Sequence, residues 1–168
     1  MSSTLYVDNL IEKTTGNGVH IPGHVVQIQD GKTITYTTHS STSYTDSNLA
    51  VTITPKYANS KLFFWVAGSY WWSVPNASGN YMMGRIADSR TGNTILPQAG
   101  SYQSLWFQGS IGQNDNYDKM ITGYTSIDND NTTSRTYTVQ IRLYYANNNV
   151  RVFEHTADNI IRVMEIAQ

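Results

Sequence analysis

The sequence predicts an all-β chain folded as an antiparallel β-sandwich, and three observations carry that prediction. Tyr137, Val139, Ile141, Leu143 and Tyr145 alternate with Thr136, Thr138, Gln140, Arg142 and Tyr144, the two-residue period of a strand with one face inward. Runs with this period are filled by Thr, Val, Ile and Tyr, which suit a pleated surface. Clusters of Asn, Asp and Gly separate the runs at the short intervals expected of an all-β domain.

Taken in order, the chain opens with the apolar Leu5, Tyr6, Val7, Leu10 and Ile11, a stretch that resists the β reading because Leu5, Val7, Leu10 and Ile11 could face one way in a short helix or in an irregular extended arm. Gly16-Asn17-Gly18 and Pro22-Gly23 isolate this stretch, so residues 1–23 read as an arm and residues 24–168 as the sandwich. About a dozen residues cannot bury so much apolar surface alone, and the arm is expected to meet a partner. Ile34 and Tyr36 then suggest one half-buried strand. Leu49, Val51 and Ile53 suggest a second, which Pro55 ends because it lacks a ladder donor. Lys61 to Trp72, KLFFWVAGSYWW, is apolar at successive positions and reads as a central strand buried on both faces. Hairpin turns are expected at Thr91-Gly92-Asn93-Thr94, Asp128-Asn129-Asp130-Asn131 and Asn147-Asn148-Asn149, the last leading into Val150 and Val152. Gly100 to Asp118 reads as a long polar loop with a short strand around Leu105, Trp106 and Phe107.

Composition narrows the function classes. Charged residues are 14% of the 168 positions against a usual value of about 25%, while Thr, Ser and Asn fill about fifty positions, so hydroxyls and amides keep the surface wet. A net charge of −1 gives no basic footprint for a phosphate backbone, and no nucleic-acid partner is expected. No apolar stretch approaches the roughly 18 residues of a membrane span, so no membrane insertion is expected. MSSTLYVDNL lacks the regions of a secretory leader, which implies synthesis in the cytosol. The chain has no Cys, which removes disulfides, thiolate metal sites and thiol catalysis.

Four segments carry a family likeness: STLYVDNLIEKTTGNGVHIPGHVVQ, STSYTDSNLAVTITPKYANSKLFFWVAG, TYTVQIRL and the terminal IIRVMEIAQ. The second holds the pattern T-x-T-P-x-x-x-x-S-K at Thr52, Thr54, Pro55, Ser60 and Lys61. Together they resemble the short β-sandwich modules of fibre-like and decoration virion proteins from bacteriophages of aquatic bacteria, except from about Trp71 to Asn116. The resemblance implies a jelly-roll or tumour-necrosis-factor-like sandwich, assembled as a homotrimer at the virion surface. There it would serve as a short tail fibre or knob, with a capsid decoration protein as the alternative. It also implies that the arm attaches to other virion proteins, and it transfers no catalytic residue and no cofactor.

Motifs for chemistry are few. His20 and His24 have the four-residue spacing of a helical metal pair, but Pro22-Gly23 lies between them, and solvated loop histidines are the better reading. His39 and His155 have no nucleophile motif around them. Asp128 and Asp130 begin like a calcium loop, yet Thr133 and Val139 stand where its Gly and Glu belong. Asn76-Ala77-Ser78 and Asn131-Thr132-Thr133 match the glycosylation triplet, which has no consequence without secretion. Asp88, Asp115, Asp118, Glu154 and Glu165 could supply the two carboxylates of a glycosidase, but nothing shows that any two converge, and solvated surface is the expectation. No enzyme is therefore expected.

Aromatic residues give the strongest local signal. Trp71 and Trp72 point to opposite faces of one strand, so one is expected in the core and the other at the surface or a subunit contact. Tyr102 and Trp106 sit in the polar Gly-rich segment. There Trp106 either plugs a sandwich end or trimer seam, the favoured reading, or stacks on a sugar. Trp72, Tyr102 and Trp106 are thus candidate contacts for a partner or a host surface glycan. A carbohydrate-binding module is the competing functional class.

Overall fold

The computed structural model describes residues 9, 11, 21–73, 81–90, 94–96, 106–109, 118–145, 149–153 and 159–168. Among them there are eleven strands and no helix. One sheet holds β1 (Val25–Thr33), β2 (Thr37–His39), β4 (Lys61–Ser73), β8 (Asp118–Asp128), β10 (Asn149–Val152) and β11 (Asn159–Ile166). The other holds β3 (Thr45–Ile53), β5 (Tyr81–Asp88), β6 (Thr94–Leu96), β7 (Trp106–Gly109) and β9 (Arg135–Leu143).

All the pairings are antiparallel, and they nest. The first long strand pairs with the last, β1 with β11; β3 pairs with β9, β4 with β8, and β5 with β6 and β7. Such successive wrapping of outer pairs around inner ones is the topology of a jelly roll. The fold is therefore an all-β antiparallel sandwich, as the periodicity predicts.

Between the sheets lies one core. Leu62, Phe64 and Val66 of β4 and Ile161 and Val163 of β11 face Leu49, Val51 and Ile53 of β3 and Tyr137, Val139, Ile141 and Leu143 of β9. The Phe64 and Tyr137 rings meet edge to face at 4.6 Å, joining the two layers at their middle. At the sandwich edge, β1 runs so close to β3 that a Cβ on Gly31 would fall on the Ala50 carbonyl oxygen.

β10 and β11 lie end to end along one side of β4, pairing with Tyr70 to Ser73 and with Lys61 to Ala67 respectively. The break between them is held by two residues. Phe153 turns the backbone at φ 63° and donates its amide to Ser69 O at 2.6 Å. Asn159 accepts from Ser69 N at 2.9 Å and donates to Thr33 O at 3.2 Å, so its side chain replaces missing ladder bonds.

Several expectations are corrected. Asp128 to Asn131 and Asn147 to Asn149 do not close hairpins. The strands they join lie in different sheets, β8 and β9 in one case and β9 and β10 in the other, because short polar residues serve a crossing between sheets as readily as a tight turn; residues 146–148 themselves lie outside the described residues. Residues 91–93 do connect a hairpin, β5 with β6, although they themselves lie outside the described residues. Ile34 and Tyr36 are 73% and 45% exposed in the link between β1 and β2 and belong to no strand. β3 starts at Thr45, ahead of Leu49, and ends before Pro55. β4 is central, but only Val66 to Tyr70 are buried at successive positions; Trp65 is 38% exposed and Phe63 half-buried. Tyr145 lies beyond β9 and is 54% exposed.

Candidate functional site

Strand parity builds the outer face of the six-stranded sheet. With Leu62, Phe64 and Val66 inward, Phe63 and Trp65 point away from the core, and the register sets their neighbours. Ile28, Met164, Phe63 and Ser126 lie in one row across β1, β11, β4 and β8; Asp30, Arg162, Trp65 and Tyr124 form the next. Ile28 is 50% exposed and Tyr124 72%, so apolar and aromatic side chains reach solvent on contiguous strands. Phe63 and Tyr124 stack at 6.1 Å with 21° between their planes, and Trp65 Nε1 donates to Thr122 Oγ1 at 3.1 Å. These contacts hold the rings as a fixed, broad surface.

Two ion pairs lie on this face, and Lys32 of β1 stands exposed beside them. Arg162 donates through Nε and Nη2 to both Asp30 oxygens at 2.7 Å, and this hydrogen bonding lowers the Asp30 pKa below its usual 3.8. Lys61 Nζ lies 3.7 Å from Asp128 Oδ1. Toward β2, Arg151 is sandwiched between the rings of Tyr36, 4.9 Å away, and Trp71, 4.7 Å away, so Trp71 is a half-buried packing partner.

The structure places the predicted site residues unevenly. Trp72 pairs through its backbone with Val150, and Trp106 opens β7 opposite Gly84; neither side chain is among those described. Tyr102, Leu5, Tyr6, Val7 and Leu10 lie outside the described residues, while Ile11 is 84% exposed. Asp115, Glu154, His20 and His155 also lie outside them, as does the Asp118 side chain. His24 is exposed.

Two acids expected at the solvated surface are buried instead. Asp88, 1% exposed, accepts from Arg90 N at 2.8 Å and Arg90 Nη2 at 3.3 Å. Glu165 is 0% exposed and accepts from Lys56 N at 2.9 and 3.0 Å, Tyr57 N at 2.9 Å and Gln27 Nε2 at 2.6 Å. The solvated reading fails because these residues share the inward parity of Ile86 and Val163. Asp130 is likewise more than a turn residue: its Oδ1 meets Arg90 Nη1 at 2.6 Å and the buried Arg135 Nη2 at 3.0 Å. His39 is buried between hydroxyls, Nδ1 2.7 Å from Thr45 Oγ1 and Nε2 2.9 Å from Thr37 Oγ1, and desolvation pushes its pKa down to about 4. All of these groups use their hydrogen bonds to hold loops and strands. Among the described residues, no three His, Asp or Glu gather as metal ligands.

The chain matches no family model and no curated protein. Among solved structures it is similar to the Eiger TNF of S. frugiperda, at 11% identity and TM-score 0.44 over 84% of this chain and 92% of that one. It is also similar to dimeric latent PorU from Porphyromonas gingivalis, at 10% identity and TM-score 0.38, covering 90% of this chain and 14% of that chain. The jelly-roll description rests on the strand pairings above.

Trp65 and Tyr124 are absent from the residues that the sequence singles out. Their signal lies in parity: Phe63 and Trp65 alternate with Leu62, Phe64 and Val66, so half of the KLFFWV run must face away from whatever buries the other half.

Proposed function

We propose that the chain is a non-enzymatic structural protein of a bacteriophage particle, a homotrimeric short fibre or knob at the virion surface attached through residues 1–23. One observation carries the assembly part of this reading: the outer face of β1, β11, β4 and β8 exposes Ile28, Trp65 and Tyr124, and beside them Arg162 pairs with Asp30 and Lys61 with Asp128. Exposed apolar faces of this kind mark protein contacts. Because Arg162 and Lys61 already have partners on the same face, they add little like-charge repulsion when copies approach one another around a symmetry axis. The virion setting and the number three are supported by the sequence likeness to fibre-like modules.

Immunogold labelling of intact phage particles with an antibody against this chain tests the setting. Gold at the tail tip or fibres is expected; gold over the shell selects the capsid decoration role, and unlabelled particles overturn the virion reading.

A further inference from the structure

The outer face of the five-stranded sheet has a different chemistry. Tyr81 and Arg85 of β5 share it with Gln140 and Arg142 of β9, beside Tyr44 and Asp46 at the head of β3. The Arg85 guanidinium carbon lies 3.9 Å from the centre of the Tyr44 ring and that of Arg142 5.1 Å from it, so one ring carries two cations. Arg85 Nε donates to Gln140 Oε1 at 2.7 Å, and Gln140 Nε2 donates to Asp46 Oδ1 at 2.6 Å. The nearby carboxylate is thus reached only through an amide.

This sets Arg85 apart. Arg90, Arg135 and Arg162 each hold a carboxylate within 4 Å, whereas Arg85 makes no ion pair with any described residue. It is half-buried, it is aimed by Gln140 and Tyr44, and the terminal nitrogens of its fork are not used in those contacts. A planar guanidinium presented this way matches a carboxylate through two parallel hydrogen bonds.

An aromatic group lies along the same strands. Tyr144 packs edge-on against Tyr81 at 6.0 Å and against Tyr145 at 4.7 Å, and Tyr144 and Tyr145 are 37% and 54% exposed. Tyr81 stands four residues from Arg85 on β5, about 13 Å at strand rise. Rigid rings with a hydroxyl tip suit the apolar face and the hydroxyls of a pyranose.

We propose that this face binds an acidic saccharide, with a sugar carboxylate on the Arg85 fork and a sugar ring further along the chain against the aromatic group at Tyr145. The contact falls on Arg85 and Tyr145 and needs neither Trp106 nor the assembly described above, since all its residues come from one chain.

The test is a titration of the 15N-labelled full-length protein, followed by amide shifts, with trigalacturonate, a hyaluronan tetrasaccharide and sialyllactose. The neutral control is the methyl ester of trigalacturonate. At least one acid is expected to shift amides of β5 and β9 saturably. Its affinity should fall about tenfold or more in Arg85→Gln, matching one charge-assisted hydrogen bond pair, and in Arg85→Lys, which keeps the charge but loses the fork. If trigalacturonate binds, its ester should be weaker by a similar factor. Tyr145→Ala should weaken binding while the β circular-dichroism signal is retained. The proposal is overturned if none of the three acids binds at 10 mM, an upper limit of about millimolar affinity chosen for a weak single site. It is also overturned if the ester binds as well as the acid, if Arg85→Lys binds like the parent, or if the shifts fall on β1 and β8. Should Arg85→Gln not fold, the Lys variant and the ester decide between the same two outcomes.

Discussion

Replacing Glu165 by Ala should destabilise the sandwich by about 4 kcal/mol. Glu165 lies on the inward face of β11 beyond Val163, where its carboxylate closes one end of the core and fixes the chain between β3 and β4 through Lys56 N and Tyr57 N. Hydrogen bonds to a charged group contribute about 1.5–3 kcal/mol each, and a buried amide left without an acceptor costs about 1–3 kcal/mol. Ala strips the acceptor from both amides and leaves a void, while water entering at the sandwich end offsets part of the loss. The sum settles near 4 kcal/mol, a large share of the roughly 5–15 kcal/mol stability of a domain. At about 2–4 °C per kcal/mol for a chain of this length, the melting temperature should drop by about 8–16 °C. Glu165→Gln keeps one acceptor oxygen but turns a donor toward the loop amides, and should cost about half as much. Urea denaturation followed by circular dichroism measures both. An Ala variant within 1 kcal/mol of the parent would refute the role given to this carboxylate.

Gly68→Ala should destabilise by about 2 kcal/mol or more, because the new Cβ would sit 2.6 Å from Phe153 Cδ1 in the buried break between β10 and β11; urea denaturation reads it. His39, neutral when folded with its pKa at about 4 against 6.5 when free, binds a proton more readily in the unfolded chain. Its contribution is full above pH 6.5 and is lost at up to about 1.4 kcal/mol per unit as pH falls toward 4, so the stability difference between pH 7 and pH 4.5 should shrink in His39→Gln. A chain beginning at Ile21 should keep its β circular-dichroism signal and melting temperature, since Gly23 N to Ala167 O and Ala167 N to His24 O already tie the start of the sandwich to its end; loss of the fold would make the arm part of the core.

What can be read from the sequence follows from what its patterns encode. β9 is legible because Tyr137 to Leu143 alternate without interruption between a buried and a wetted face. β4 is legible as a central strand, but an apolar residue at every position hides which half meets the core, and so hides the outward turn of Trp65. The crossings after β8 and β9 look like hairpins because Asp-Asn clusters satisfy local backbone groups whether the chain returns to its own sheet or crosses to the other. Glu165 shares its parity with Ile161 and Val163, but the partners that tolerate a buried carboxylate, the Lys56 and Tyr57 amides, are more than a hundred residues away in sequence. The Tyr44, Arg85 and Arg142 cluster likewise exists only once β3, β5 and β9 are side by side.

The mass of the protein in solution decides whether the outer face of β1, β11, β4 and β8 is an assembly face. Light scattering at micromolar concentration should give about three times 18.8 kDa for the parent chain and a single-chain mass for Trp65→Glu, with the β circular-dichroism signal unchanged in both. A parent that elutes as a monomer, or a Trp65→Glu variant that still assembles, would contradict the trimer built on that face.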